Sequence, residues 1–299
     1  MRRPGADSPM TVFTIAQISD THLSRTHGYF HDNWRALAAH LQQSSPDLVV
    51  HSGDLCFNAP DQPDDLAFAR SELDALGLEW LALPGNHDVG EPDEEPRLGQ
   101  RVNAQRLAAW AEHLGPDRFC HDLPGWRLIG LNSEVLGSGR DEEREQWSWL
   151  DETLSAAGTR SIGLFLHKPL FVRDRDEDRT GGTTVLKAAR TRLLDRLTSH
   201  RVRFVACGHT HAYHRGRLGD IDLIWCPTSA MVDPGKTWGV PTTNRAGYLE
   251  WRFEDDRFEH RMIEPALIAN IDLTNWTRQR GTTISLPARP VVSRSGLAR

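Results

Sequence analysis

Hydrophobic runs that end in glycine, aspartate, asparagine or histidine recur along the chain. They occupy residues 12–18, 48–50, 80–83, 126–131, 162–166 and 202–206. Each run is typical of a buried strand whose C-terminal end carries polar side chains. Between these runs, apolar residues recur at three- and four-residue spacing, which is typical of helices that bury one face. The predicted helices occupy residues 34–41, 66–76, 104–114, 142–154 and 185–197.

This alternation of strands and helices predicts an α/β layered fold with largely parallel strands. In such folds ligands bind at the carboxyl ends of the strands, and the polar residues that follow the runs all fall on that edge. Beyond residue 215 the pattern changes, and residues 221–225 and 248–253 are predicted strands. Residues 254–257 are a predicted hairpin turn into a strand at 258–263. A second, antiparallel-rich sheet would complete a sandwich.

The pattern also predicts how the chain is divided. We expect residues 1–281 to form a single domain and residues 282–299, rich in Arg, Ser, Pro and Gly, to form a flexible tail. A charged run at 174–179 lies in the loop 173–183, which follows His167. Most such runs are solvated loops, but this position raises the alternative of a lid over a site.

Composition narrows the class of protein. Among 299 residues, 38% are hydrophobic and 25% are charged, which is ordinary for a globular protein. The net charge of −6 argues against non-specific nucleic-acid binding, which needs a basic surface. The N-terminal segment lacks the apolar stretch of a secretory signal, and no run approaches the length of a membrane span. We therefore expect a cytoplasmic enzyme that contacts neither membrane nor nucleic acid.

The four cysteines are far apart and form no CxxC pair: Cys56, Cys120, Cys207 and Cys226. In a chain this long they are expected to be reduced, mostly buried thiols rather than a disulfide framework. Histidine content is high in this otherwise ordinary composition, with 14 of 299 residues. The positions of the histidines are therefore informative about function.

Five short motifs follow predicted strands, in this order: Asp20-Thr21-His22, Gly53-Asp54, Gly85-Asn86-His87-Asp88, His167, and Gly208-His209-Thr210-His211. Each motif alone is weak, but the ordered series at one sheet edge is not explained by scattered turn and cap residues. Two divalent ions about 3.5–4 Å apart can clamp a phosphoryl group, and they need carboxylate, amide and imidazole ligands. The candidate ligands are Asp20, His22, Asp54, Asn86, His167, His209 and His211. This nitrogen and oxygen set, without thiolates, suits two divalent or mixed-valence ions of Mn, Fe, Zn or Co.

In this order the motifs resemble those of the calcineurin-like metallophosphoesterases, over residues 12–211. Short segments such as Ile-Ser-Asp-Thr-His-Leu most resemble those of the bacterial class III cyclic-nucleotide phosphodiesterases. The glycerophosphodiesterases are the next most similar subgroup. The resemblance implies a four-layer αββα sandwich of two mixed sheets flanked by helices. It also implies a metal site at the C-terminal ends of the strands.

The resemblance further implies a role for each motif residue. The first ion would be held by Asp20, His22 and His211. The second ion would be held by Asn86, His167 and His209. Asp54 would bridge the two ions, and His87 would act on the substrate. Asp88 would hydrogen-bond His87 and fix its ring.

The function implied is hydrolysis of small phosphodiesters, such as 3′,5′-cyclic nucleotides, by attack of a hydroxide held on the two ions. Within enzymes, the alternatives are a glycerophosphodiesterase and a broad-specificity phosphomonoesterase. A non-catalytic metal-binding module is more distant, because it would be expected to lack a ligand or His87. A nuclease is disfavoured by the acidic balance, and a protein phosphatase by the lack of an obvious recognition domain. A homodimer or higher homo-oligomer stays open.

Substrate choice is expected to reside in the loops at the strand ends. These are residues 26–33, 56–64, 89–102, 173–183 and 229–244. Within them, Tyr29 and Trp238 are candidates to stack on a base or ring, and an exposed tryptophan is equally compatible with an oligomer contact. His214 has no role implied by the resemblance and is expected at the surface, whereas His51 and Cys56 are expected to pack behind the site.

Overall fold

The computed structural model describes residues 12–92, 99–178, 182–273 and Leu286. Its strands β1 to β13 are, in chain order, Phe13–Ile18, Leu48–His51, Trp80–Ala82, Phe119–Leu123, Trp126–Gly130, Ser161–Phe165, Val202–Cys207, His214–Leu218, Ile221–Trp225, Met231–Val232, Tyr248–Glu254, Arg257–Ile263 and Ile271–Asp272. Its helices α1 to α6 are His31–Ser44, Asp64–Asp74, Asn86–Val89, Ala104–Leu114, Asp141–Ser155 and Lys187–Thr198.

Two large mixed sheets form the centre of the fold. The first has the strand order β12-β11-β1-β2-β3, and the second has the order β4-β5-β6-β7-β9-β8. Strands β1, β2 and β3 are parallel, as are β5, β6, β7 and β9. The remaining strands of each sheet pair antiparallel at its edges. The parallel strands therefore present several C-terminal ends side by side, as the sequence pattern predicted.

Apolar side chains from the two sheets meet in a shared core. The ring of Phe204 on β7 stacks on Trp251 of β11, with centroids 4.5 Å apart, and Phe165 meets Phe204 edge-on at 5.5 Å. On the outer face of the first sheet, Trp34 of α1 packs in a cluster with strand residues. On the outer face of the second sheet, Trp147 of α5 does the same. The layers are therefore helix, sheet, sheet and helix, which confirms the predicted αββα fold. The expectation that the strands beyond residue 215 form a separate antiparallel-rich sheet is wrong, because β9 pairs parallel with β7 in the second sheet and β11 pairs antiparallel with β1 in the first.

The predicted strands and helices are found, and the turn at 254–257 joins β11 to β12 as a hairpin, with Asp255 at φ 51°. Strands β4 and β8 were not predicted. Neither sequence, Phe-Cys-His-Asp-Leu nor His-Arg-Gly-Arg-Leu, forms a continuous apolar run, because both strands lie at sheet edges and include exposed residues. All four cysteines are free, and Cys120 is the exposed one.

Two predicted segments are described only in part. Of the predicted tail, only Leu286 is described, and its backbone N–H donates to the Arg25 carbonyl at 2.6 Å; the rest lies outside the described residues. In the loop 173–183, residues 179–181 lie outside as well. The buried guanidinium of Arg190 donates to the carbonyls of Leu170 and Arg175 and so ties this loop to α6. A lid at this position stays a prediction. Within the described ranges, no helix is long and apolar enough to cross a membrane.

Candidate metal centre

The polar motifs of both sheets converge at one edge of the sandwich. Asp20 and His22 follow β1, Asp54 follows β2, and Asn86 begins α3 just after β3. His167 follows β6, and His209 follows β7 in the other sheet. Backbone hydrogen bonds lock the loops together, with Asp20 N–H donating to Gly53 O at 3.0 Å and Gly208 N–H donating to His167 O at 3.0 Å. The strand ends therefore bring distant parts of the chain into one cluster.

The donor atoms form overlapping groups, each within 4.8 Å. In the first group, Asp20, His22 and His211, the two Nε2 atoms are 3.3 Å apart and His211 Nε2 is 3.2 Å from Asp20 Oδ1. In the second group, Asp54, His167 and His209, His167 Nε2 is 3.2 Å from both Asp54 Oδ2 and His209 Nδ1. The amide oxygen of Asn86 lies 3.3 Å from the same His167 Nε2. The structure thus brings together all seven candidate ligands.

This donor set fits two divalent cations. Imidazole nitrogens that face each other beside carboxylates need a proton or a cation between them, because their lone pairs repel. Asp20 Oδ1 is buried without a hydrogen-bond donor, and His211 Nε2 lies 3.2 Å from it. His167 Nδ1 lies 2.9 Å from the Ser52 carbonyl, which can only accept, so Nδ1 carries a proton and Nε2 faces the other ligands.

The backbone of the cluster is held in a strained conformation. Five of the seven candidate ligands have positive φ: Asp20 at 53°, His22 at 46°, Asp54 at 54°, His209 at 66° and His211 at 56°. Non-glycine residues held in this region cost on the order of 1–3 kcal/mol each and persist only where the surroundings enforce them. Their concentration here indicates that placement of the candidate ligands, rather than stability, determines the conformation of these loops.

Two glycines allow the close approach of the loops. Gly53 has φ +100°, and a Cβ there would lie 2.7 Å from His167 Cβ. A Cβ at Gly85 would overlap the Asp54 carboxylate and lie 2.7 Å from His167 Nε2. A larger residue at either position would push apart the side chains that define the second group.

Burial and neighbouring charges together shift the pKa values of the titratable groups in the cluster. Burial raises the pKa of Asp54, but the nearby His167 and His87 lower it well below its ordinary value. Burial also raises the pKa of Asp20, and the charge of His211 lowers it overall. Burial, together with the charge of His87, lowers the pKa of His22 to about 3. Both carboxylates are therefore ionised and His22 is neutral at pH 7, as metal binding requires.

His167 gives a testable consequence. Burial lowers the pKa of His167, but the carboxylates of Asp54, Asp20 and Glu134 raise it to about 10. At pH 7 the metal-free ring is protonated, so a cation must displace about one proton, and affinity should rise with pH up to about 10. We expect titration calorimetry of metal-free protein with Mn²⁺, in buffers of different ionisation enthalpy, to show this release. Binding heats that do not depend on the buffer would contradict it.

His87 and Asp88 are placed differently from what the resemblance implied. Asp88 is the third residue of α3, and its carboxylate turns back to accept three backbone N–H groups, those of Gly85, Leu55 and Cys56, at 2.8–3.1 Å. The His87 Nδ1 lies 2.8 Å from the Phe57 carbonyl. The prediction that Asp88 fixes the His87 ring is therefore wrong: Phe57 O does so, while Asp88 ties the Asp54 loop to α3. Burial and the charge of Asp54 raise the pKa of Asp88 to about 7.

Two further buried features support the ligands. His51 accepts the Gly53 N–H at Nδ1, at 3.3 Å, and its Nε2 lies 2.9 Å from Thr21 Oγ1, so it packs behind the site as predicted. Lys168 and Glu134 form an ion pair of 2.9 Å with exposures of 1% and 0%, beside His167. Removing one partner would leave a buried charge unpaired. The sequence pattern gave no signal for Glu134 or for the carbonyls of Ser52 and Phe57.

Trp238 and His214 make their contacts with other residues of the chain. Trp238 is buried, packs edge-on against Trp225 at 5.7 Å and lies under the Lys236 ammonium. The prediction that Trp238 offers an exposed ring for stacking is wrong, because this neighbouring tryptophan covers it. His214 is half-exposed, its Nδ1 lies 2.7 Å from Pro241 O, and it is in none of the ligand groups found among the described residues.

Comparison with known proteins agrees with this geometry. The family profile of the calcineurin-like phosphoesterases matches residues 13–213. A probable cyclic nucleotide phosphodiesterase of Synechococcus is 29% identical over 243 residues, covering 76% of this chain and 84% of that protein. The glycerophosphodiester phosphodiesterase GpdQ of Enterobacter lignolyticus is 29% identical over 168 residues, covering 52% of this chain and 56% of that protein.

Solved structures share the fold. A dimetal phosphatase from Danio rerio superposes with a TM-score of 0.58 at 15% identity, covering 84% of this chain and 95% of that one. A purple acid phosphatase from yellow lupin gives a TM-score of 0.61 at 14% identity, covering 95% of this chain and 58% of that one. With the family match spanning the ligand motifs, the chain belongs to the calcineurin-like phosphoesterases and is a metal-dependent phosphoester hydrolase.

Proposed function

We propose that the chain hydrolyses small phosphodiesters, cyclic nucleotides among them, at a centre of two divalent ions. The observation that carries this proposal is the convergence of seven nitrogen and oxygen donors in overlapping groups, with His87 beside them. The similarity to a probable cyclic nucleotide phosphodiesterase over 84% of its length supports the choice of substrate class. The similarity to GpdQ keeps glycerol diesters as a second candidate.

Each ion would have its own ligands and share Asp54. Asp20, His22 and His211 would hold one ion, and Asn86, His167 and His209 the other. Asp54 fits the shared position because it belongs both to the group with His167 and His209 and to the group with His22 and His87. When bound, the ions supply positive charge to the phosphoryl oxygens and make water a nucleophile near pH 7. Mn, Fe, Zn and Co all suit this donor set.

The residues of the chain orient the ester and handle the proton. His87 Nδ1 donates to Phe57 O, so Nε2 is the atom that can carry a proton to the leaving alkoxide. A ring nitrogen of His87 lies within 4.8 Å of donor atoms on His22 and Asp54, which places it beside the reacting group. This donor would matter most for alkoxides, which leave poorly without a proton.

Diesters should be preferred over monoesters. A diester carries one negative charge, whereas a monoester dianion can bridge both ions so tightly that the ground state is stabilised without help to the chemical step. Lys168, next to His167, is buried and paired with Glu134, so it offers no extra charge for a dianion. The measurement is kcat/KM for bis-p-nitrophenyl phosphate against p-nitrophenyl phosphate, with added Mn²⁺. A clear preference for the monoester would overturn this prediction and favour a phosphomonoesterase.

The same assay separates the candidate diesters. Turnover of 3′,5′-cyclic AMP, 2′,3′-cyclic AMP and glycerophosphocholine is compared under identical conditions. We expect a cyclic nucleotide to give the highest kcat/KM. The highest value for glycerophosphocholine would instead favour the glycerophosphodiesterase alternative.

A further inference from the structure

A glutamine side chain lies in the apolar core between the two sheets. Gln17 on β1 is fully buried, and its register partners are Val50 on β2 and Leu249 on β11. Both partners belong to the apolar cluster between the sheets, and residues in register point to the same face of a sheet. Burying an amide among apolar side chains is unfavourable unless its polar ends are hydrogen-bonded. Gln17 is therefore tolerated at this position only through the hydrogen bonds that it makes.

Both ends of the Gln17 amide have partners, and these partners fix its orientation. The Trp251 indole nitrogen, which can only donate, lies 3.1 Å from Gln17 Oε1, so this end of the amide is the acceptor. The amide nitrogen then donates to Ser52 Oγ at 3.0 Å. Because the Ser52 hydroxyl accepts this bond, its own proton is directed to the Ile18 carbonyl, 3.3 Å away. The bonds therefore run in one direction, from Trp251 through Gln17 to Ser52.

Ser52 connects these buried bonds to the candidate metal centre. Its backbone N–H also donates to Ile18 O, at 2.9 Å, so Ser52 is anchored to β1 through both backbone and side chain. Its carbonyl oxygen lies 2.9 Å from Nδ1 of His167, which follows β6 in the second sheet. The orientation of the Ser52 peptide therefore determines where the His167 ring lies. We call Trp251, Gln17, Ser52 and His167 the hydrogen-bond chain.

The hydrogen-bond chain reaches one of the two candidate ligand groups. His167 donates its Nδ1 proton to Ser52 O, so Nε2 is the atom that a cation can use. That atom lies 3.2 Å from Asp54 Oδ2 and from His209 Nδ1. In the described part of the chain, the side chains of Gln17 and Ser52 make no hydrogen bond to the other ligand group, that of Asp20, His22 and His211.

From these contacts we propose that Gln17 is a positioning residue for the metal centre, which acts through Ser52 on His167 and so on the ion that His167 holds. The inference rests on the proposed two-ion centre. It assigns to a side chain in the core, which touches neither ion nor substrate, an effect on the affinity for one ion. A residue that only packs the core would instead affect the stability of the fold and the binding of both ions alike.

The test measures binding of Mn²⁺ to metal-free protein by titration calorimetry. Gln17→Leu keeps a side chain of similar size but cannot donate to Ser52, and Ser52→Ala keeps the carbonyl but loses the hydroxyl that accepts from Gln17. Ser71→Ala is the matched control, because it removes another buried hydroxyl, one that donates to Phe68 O at 2.7 Å within α2. Thermal unfolding of each metal-free protein verifies that it is folded.

Gln17→Leu and Ser52→Ala should each weaken the binding of one ion about 10- to 100-fold, the usual cost of losing an outer partner of a metal ligand. The affinity for the other ion should stay near that of the wild type. The double variant should lose no more than the weaker-binding single variant, because both changes break the same hydrogen-bond chain. Ser71→Ala should bind both ions as the wild type does. Unchanged affinities in either variant of the chain, or equal losses at both ions, would overturn the positioning role.

The wild-type titration separates failure of this inference from failure of the proposed function. If the wild type holds two ions and both variants of the hydrogen-bond chain bind them normally, the positioning role fails while the two-ion centre stands. If the wild type holds at most one ion, the two-ion centre fails. Weaker binding of that ion in Gln17→Leu and Ser52→Ala, but not in Ser71→Ala, would then still support the positioning role, and normal binding would contradict it.

Discussion

Asp54→Ala is expected to remove at least one of the two ions and nearly all phosphodiesterase activity. The Asp54 carboxylate belongs to two of the donor groups, lies 3.2 Å from His167 Nε2 and accepts the His87 N–H at 2.8 Å. Its loss removes the negative charge that draws both cations, and it also frees the backbone that carries His87. A shared anionic ligand is what allows two cations to lie about 3.5–4 Å apart.

The measurement is elemental analysis of the purified variant beside its turnover of bis-p-nitrophenyl phosphate. Asp32→Ala is the matched control, because it removes the same charge from a fully exposed side chain on α1. The control should keep its ions and its rate. Two ions per chain and normal turnover in Asp54→Ala would disprove the bridging assignment.

His87→Gln is expected to separate catalysis from metal binding. If His87 donates a proton to the leaving oxygen, metal content should stay near that of the wild type while turnover falls about 10²–10⁴-fold, the usual worth of a positioned acid. The geometry also allows His87 to be a metal ligand, because His22, Asp54 and His87 form a group with donor atoms within 4.8 Å. Metal content measured beside turnover distinguishes the two roles.

His214→Gln provides the control, since His214 makes its hydrogen bond to Pro241 O outside the ligand groups of the described chain. A His87→Gln protein that loses an ion would show that His87 is a ligand. A further comparison varies the leaving group. The loss of turnover in His87→Gln should be larger for an ester with an alkoxide leaving group than for one with p-nitrophenolate, which needs no proton to leave.

Much of the fold could be predicted because most of its strands and helices have a clear pattern of hydrophobic residues. The runs that became β6 and β7 are nearly all apolar because both faces of those strands are buried, so a continuous run identifies them. Strand β8 was missed because it lies at a sheet edge, and all five residues of its sequence, His-Arg-Gly-Arg-Leu, are exposed or half-buried. Helix α3 spans only Asn86–Val89, which is too short for a helical period.

The candidate site, like the fold, could be predicted from the sequence only in part. Its ligands carry side chains whose chemistry is visible in sequence, and the strand pattern places them at one edge. The orientation of His87 depends on a backbone carbonyl, that of Phe57, and any residue type supplies one. The role of Asp88 was mistaken because a carboxylate beside a histidine suggests a pair, whereas its position in α3 directs it to backbone N–H groups. Trp238 was misjudged because burial by Trp225 is a tertiary contact.

The central claim, that diester hydrolysis requires two ions held by these residues, is tested most directly by titrating metal-free protein with Mn²⁺. Bound ions per chain and hydrolysis of bis-p-nitrophenyl phosphate are measured on the same samples. We expect hydrolysis to stay low while chains hold at most one ion and to level off at two. Full activity at one ion per chain, or hydrolysis by chelator-treated protein, would contradict the claim.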